Sequence, residues 1–265
     1  MAELAYKFPT QAILTLFGLP KDDLPQFLEW VTGLVKDVTV NTIADEPTPR
    51  QVECGLAMFA YLQQQLDNKR QHPGDDMLSE ILSLRGDDAW TDAEVLGLCF
   101  LFVIAGLDTV TGTIGFTIMR LAEDPALRRR LIDDPELIPP FVDEMVRLEG
   151  PVPGVPRVAT QDVEVAGVTI PAGAHVMLLL STANREVPGP RHPHTLDLGE
   201  KSTHLGFGGG IHRCLGSHLA RRELRLTVEE FLARIPDFRV SGTPQIRWPS
   251  GTLNLATLPL EFTPS

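Results

Sequence analysis

HLGFGGGIHRCLGSHLARRELR, residues 204–225, places three consecutive glycines, Gly208 to Gly210, shortly before a cysteine and a helical pattern. Glycine admits backbone angles and close approaches that side chains forbid, so this loop can wrap a flat ligand. The pattern that follows predicts a helix from about Cys214 to Ile235, stopped by Pro236. A cysteine that opens a helix meets unpaired N–H groups and the positive end of the macrodipole. Both favour the thiolate, which is a metal ligand. The bland alternative is an inert thiol beside an ordinary Gly-rich turn. Against it, Phe207, Gly210, Cys214 and Gly216 satisfy the spacing F-x-x-G-x-x-x-C-x-G, which chance seldom produces. His204, His212, Cys214 and His218 lie close in sequence and raise zinc as an alternative. Structural zinc normally takes paired ligands at short spacings, and no second cysteine is near, so zinc is disfavoured.

Further upstream, FVIAGLDTVTGTIG (102–115) sets Asp108 and Thr109 in an apolar run that also contains Gly106, Gly112 and Gly115. The run belongs to a long helix. Thr91-Asp92-Ala93-Glu94 has the form of a capping box at its start, and Pro125 lies just past its end. Each mid-helix glycine costs roughly 1 kcal/mol relative to alanine. An unpaired buried carboxylate costs several more. Gly106 lets another group approach the backbone, and the Thr109 hydroxyl can compete for the Ala105 carbonyl four residues back, which opens a polar notch. A core helix with one polar edge turned to solvent explains the same residues when the segment stands alone.

The rest of the chain reads as mainly α with a small antiparallel β insertion. Helices fill the first part, broken at Gly18-Leu19-Pro20, at Asp45 to Pro49 and at His72 to Asp75. Helical stretches follow at Pro125 to Ile132 and Pro135 to Leu148, with proline in the first turn where its missing N–H does no harm. VEVAGVTI and HVMLLL then alternate around glycine turns, predicting a small antiparallel sheet that is an insertion and not a second domain. The stretch 187–202, rich in Pro and His, has no period and reads as coil. One domain over residues 1–265 is expected.

A net charge of -12 argues against general affinity for nucleic acid or an anionic membrane. Cys54, Cys99 and Cys214 are odd in number and far apart, which fits a reducing cytoplasm better than a disulfide framework. Glu3 stands where a secretory signal would be basic, so the N-terminus reads as folded. The apolar run Val95 to Leu107 is too short to span a bilayer and reads as a buried core helix, not a membrane anchor.

The cysteine segment resembles the haem-binding loop of the cytochrome P-450 family, His212 included, and AGLDTV resembles that family's oxygen-activation motif. The resemblance implies the larger, C-terminal two-thirds of the bacterial cytochrome P-450 fold and a haem b cofactor with Cys214 as axial iron ligand. It implies further that Asp108 relays protons and Thr109 orients oxygen or its water. Arg157 and His212 would bind the haem propionates. Phe207, Gly208, Gly210 and Gly216, with Ala105 and Gly106 across from them, would contact the haem. Val110 replaces a second threonine common in the family. Glu144 and Arg147, three apart on a helix and alone an ordinary surface pair, resemble the family's ExxR motif, a buried brace for the cysteine loop. Thr195 stands where the family often has a third brace residue, an arginine.

By the same resemblance the chain is a haem-thiolate monooxygenase. It would insert one atom of dioxygen into a small apolar substrate, with electrons from a ferredoxin-type donor and its reductase. Arg213, Arg221, Arg222 and Arg225 form a basic face beside the cysteine that could dock an acidic ferredoxin. Family members run roughly half as long again, and the portion without a counterpart here is N-terminal. The alternative is therefore a truncated, non-catalytic relic that binds haem weakly or not at all. Apolar faces that the missing portion covers in the family would then lower solubility or haem retention.

Overall fold

The computed structural model describes residues 4–35, 46–84, 89–186, 193–199, 203–247 and 252–263. Asp45 and most of the expected coil at 187–202 lie outside the described residues. Four helices come first: α1 (Lys7–Leu16), α2 (Leu24–Val35), α3 (Pro49–Gln71) and α4 (Met77–Ser83). Thr48 and Gln51 close a capping box on α3, with Pro49 at the first helical position. The break after α3 is itself a joint. Asp76 caps α4 by accepting the Ser79 N–H and takes Lys69 Nζ of α3 at 2.6 Å.

α5 (Asp92–Glu123) starts at the expected capping box, where Thr91 and Glu94 satisfy each other's backbone N–H. It ends at Asp124, whose side chain caps α6 (Pro125–Asp133) through the Leu127 N–H. The stretch from Pro135 opens as a 3-10 turn and becomes α7 only at Ile138–Leu148. α8 (Leu180–Ala183) is a single turn.

The last helix, α9 (Ser217–Arg234), corrects the expectation that Cys214 opens it. Gly210–His212 make a 3-10 turn, and Arg213 then takes an extended ψ of 135° that breaks helical continuity. The Cys214 N–H bonds back to the Phe207 carbonyl at 2.9 Å, and the first bond of the α9 ladder runs from Ala220 to Gly216. Cys214 therefore closes the loop and stands ahead of the helix.

The expected small sheet is two separate antiparallel ladders. β2 (Val163–Val165) and β3 (Val168–Ile170) form a tight hairpin, while β1 (Val155–Val158) pairs with β4 (His175–Leu178) across its base. Ala166 and Gly167 both take positive φ, the two-residue hairpin turn whose twist suits short strands. Two further ladders near the C-terminus, β5 (Phe238–Val240) with β8 (Leu260–Phe262) and β6 (Gln245–Arg247) with β7 (Asn254–Thr257), were not expected from the sequence. Strands of three or four residues are too short for alternation to register.

The buried apolar side chains form two clusters that share α5. Val95, Cys99, Val103 and Leu107 pack with α1 to α4 through residues such as Phe17, Phe27, Met58 and Leu62. Val110, Ile114, Ile118 and Leu121 pack with α7, α9 and the C-terminal strands through Phe141, Met145, Val228 and Leu255. By length and composition α5 is also the one described helix apolar enough to cross a membrane. It packs here against α1, α2, α3, α7, α9 and the strands β5 and β7.

Candidate functional site

Where the two clusters meet, a cleft of about 350 Å³ opens between α5 and the cysteine loop. Leu101, Phe102, Ala105, Gly106, Thr109 and Val110 line it from α5, and His212 to Gly216 line it from the loop. Ile13 of α1 and Leu219, Ala220 and Glu223 of α9 complete the wall. Gly208 and Gly210 take φ of +66° and +63°, so both turns of the loop need glycine. Cys214 is exposed, and Leu215 beside it is 67% exposed.

The notch expected in the helix is present. The Thr109 hydroxyl donates to the Ala105 carbonyl at 2.7 Å, and the Thr113 hydroxyl to the Thr109 carbonyl at 3.0 Å. Asp108 sits elsewhere. It is buried and outside the cleft lining, its Oδ1 accepting Arg247 Nη2 at 2.8 Å and its Oδ2 accepting the Thr252 hydroxyl and Asn254 Nδ2. This knot ties α5 to β6 and β7. Tyr6 lies near it, and burial pushes its phenol up, the Asp108 charge adding to that and Arg247 opposing it.

Glu144 is fully buried and Arg147 is 4% exposed, so the pair is not a surface pair. Arg147 holds both Glu144 oxygens at 2.8 Å and donates its remaining N–H groups to the carbonyls of Asn184, Pro193 and Thr195. All five guanidinium donors are thereby matched. Thr195 differs from the family's usual arginine, yet the position still reaches Arg147 through its main chain. The brace reaches the loop through Asn184, whose Oδ1 accepts the Leu205 N–H at 2.6 Å.

Of the other expected residues, His212 and Gly216 line the cleft. Arg157 does not: it is exposed on β1, its guanidinium donating to the Pro156 carbonyl. The Phe207 ring turns toward the main core and under Arg221. Among the four arginines of the expected basic face, Arg213 and Arg222 are exposed, Arg221 pairs with Asp143, and Arg225 lies 3.9 Å from Glu229.

Glu223 was not foreseen. It is 4% exposed, its Oε1 has no hydrogen-bond partner among the described residues, and burial pushes its carboxyl up to about 8. Its sequence signal is an acid on the apolar face of α9, four residues after Leu219 and three after Ala220. Among the described residues no three His, Cys, Asp or Glu side chains come together as metal ligands, so the zinc alternative lacks its ligand set. The residues fit a haem. A lone soft sulfur donor faces an apolar cleft, and a Cβ added at Gly216 meets no protein atom within 4 Å.

Residues 132–247 match the family model Cytochrome P450. Cytochrome P450 130 of Mycobacterium tuberculosis is 35% identical over 276 residues, covering 99% of this chain and 65% of its own length. The biotin biosynthesis cytochrome P450 of Bacillus subtilis is 32% identical, covering 91% of this chain and 61% of its own. The chain thus spans less than two-thirds of the length of these curated relatives. Among solved structures, CYP109E1 of Bacillus megaterium in complex with testosterone superposes with a TM-score of 0.88 at 30% identity, covering 98% of this chain and 71% of that one. P450BioI in complex with an acyl carrier protein ligated to hexadec-9Z-enoic acid gives the same TM-score at 31% identity, covering 99% and 68%. A shared fold over most of both chains at that identity, with the cysteine loop inside the matched stretch, leaves one conclusion: the chain belongs to the cytochrome P450 family.

Proposed function

We propose that residues 1–265 form one haem-binding unit of a cytoplasmic monooxygenase, with Cys214 as the axial thiolate of a haem b. The observation that carries this reading is the shared cleft: the exposed cysteine and the Ala105–Thr109 notch line the same apolar space. A haem bound through a thiolate supplies oxygen activation, because thiolate donation favours O–O cleavage. This chain's residues supply the surroundings. Ala105, Gly106 and Gly216 would leave room for the haem in the cleft, Gly208 and Gly210 would give the loop the turns that wrap it, and Phe207 would hold the loop against the core. The Thr109 hydroxyl orients oxygen or its water. His212 binds a propionate from the cleft wall, and Arg157 binds the other after leaving the Pro156 carbonyl. Asp108 would relay protons toward Thr109 by releasing Arg247, taking up a proton from solvent and passing it on. Glu144 and Arg147 hold the loop rigid. The apolar lining suits a small apolar substrate. Relatives with steroid and acyl-carrier-bound fatty-acid ligands agree with that chemistry. Electrons come from a ferredoxin-type donor docked near Arg213 and Arg222. Three cysteines far apart in sequence fit a reducing cytoplasm better than a disulfide framework.

A second reading, a non-catalytic relic with weak haem binding, is favoured by the open rim of the cleft. Ile211 is 96% exposed and Leu101 55%. Reconstituting the chain with haem, reducing it under carbon monoxide and recording the Soret band separates the two. The enzyme reading expects the thiolate-type band and its loss in Cys214→Ala. Soluble, folded chain that takes up no haem favours the relic.

A further inference from the structure

We propose that Asp143 is a positioning residue for the cysteine loop, acting through Arg221 and His204 on Phe207; the inference rests on Cys214 being the haem ligand. Asp143 neighbours Glu144 on α7 but reaches a different set of partners. Its Oδ1 accepts Arg221 Nε of α9 at 2.7 Å and lies 3.7 Å from His204 Nε2. His204 Nδ1 accepts the Gly206 N–H at 3.1 Å, which places the ring proton on Nε2, facing Asp143. Both partners then meet on one ring. The Arg221 guanidinium carbon lies 4.5 Å from the Phe207 centroid, and the His204 ring centroid lies 5.8 Å away. The Phe207 carbonyl accepts the Cys214 N–H.

One carboxylate therefore fixes two side chains that hold the residue to which the cysteine backbone is bonded. Burial pushes the Asp143 carboxyl up, but His204 nearby and the hydrogen bond from Arg221 outweigh it and keep the group below its ordinary value. A Cβ added at Gly206 would lie 2.6 Å from the Val146 carbonyl, so the loop lies close against α7 at this point and cannot move further inward. Asp143 and Arg221 are each more than a quarter exposed, so their pairing contributes little to global stability. Its effect is local, on where Phe207 and the Cys214 amide sit.

Hydrogen exchange on the chain without haem tests this directly. Asp143→Asn and Arg221→Gln should each speed exchange of the Cys214 amide about tenfold and leave α5 amides and the urea midpoint unchanged. After haem loading, the same variants should move part of the ferrous carbon monoxide band from the thiolate form to that of haem without thiolate. Arg234→Gln, which removes an exposed pair with Glu230 on the same helix, should change neither. Unchanged exchange at Cys214, or faster exchange shared equally by α7 and α9, overturns the inference. If Asp143→Asn does not fold, Arg221→Gln decides alone. A haem-loaded Cys214→Ala that keeps the thiolate-type band sinks the ligand reading, and the haem-free exchange still judges Asp143.

Discussion

Glu223 sits in the cleft wall with an unpartnered carboxylate oxygen, and its pKa near 8 has a consequence for folding. Its folded pKa lies above the ordinary 4.5, so the unfolded chain ionises first. The group contributes no penalty below about pH 4.5. As pH rises toward about 8 it removes stability, by at most about 1.4 kcal/mol per pH unit, and the loss is complete above that. Urea midpoints from about pH 5 to about pH 8 should fall in the wild type, and Glu223→Gln should flatten that component. An unchanged slope in the variant would remove Glu223 as its source. The glycine turns before Cys214 and the Thr109–Ala105 bond were legible because their signals are local, whereas spacing alone read Glu144 and Arg147 as a surface pair and only the family resemblance implied their burial. Asp108 was legible as an oddity but not in its partners. Arg247 stands 139 positions away, and nothing local to either residue announces the pairing. The start of α9 was misread because a 3-10 turn carries the same residue types as a helical first turn, and the extended Arg213 leaves no compositional mark.

Among the helices, α5 shows two uses of glycine that the sequence could not tell apart. A Cβ at Gly112 would lie 2.5 Å from the Leu253 carbonyl and 2.7 Å from Asn254 Oδ1, so β7 crosses the helix only because that position is bare. Gly112→Ala should destabilise the chain by about 1–3 kcal/mol in denaturant titration, since backbone must move. At Gly106 the nearest outside atom is Ile13 Cδ1 at 3.5 Å, an ordinary contact. Gly106→Ala should therefore stabilise the haem-free chain by up to about 1 kcal/mol while narrowing the cleft and lowering haem retention. If both variants weaken the fold alike, Gly106 has a packing role that its surroundings do not show. The helix boundaries at Thr91 and Asp124 were legible because capping chemistry is written in adjacent residues. The C-terminal ladders were not, because their pairing is long-range and their strands are short.

For the whole molecule, the two apolar clusters threaded on α5 bear on cooperativity. The clusters share α5 but pack it against different partners, so they can open with separate free energies. Hydrogen exchange of the haem-free chain should show two levels of protection along α5, divided near Asp108, and calorimetry should show a broadened or double transition. A single level would mean that the polar knot at Asp108 couples the halves fully. The cleft draws its wall from both clusters, Ile13, Phe102 and Leu219 from one and Val110 and Ala220 from the other. A group seated there is a rivet rather than cargo. It binds only the assembled pair, so its affinity adds to the stability of both halves at once and should draw the two transitions into one.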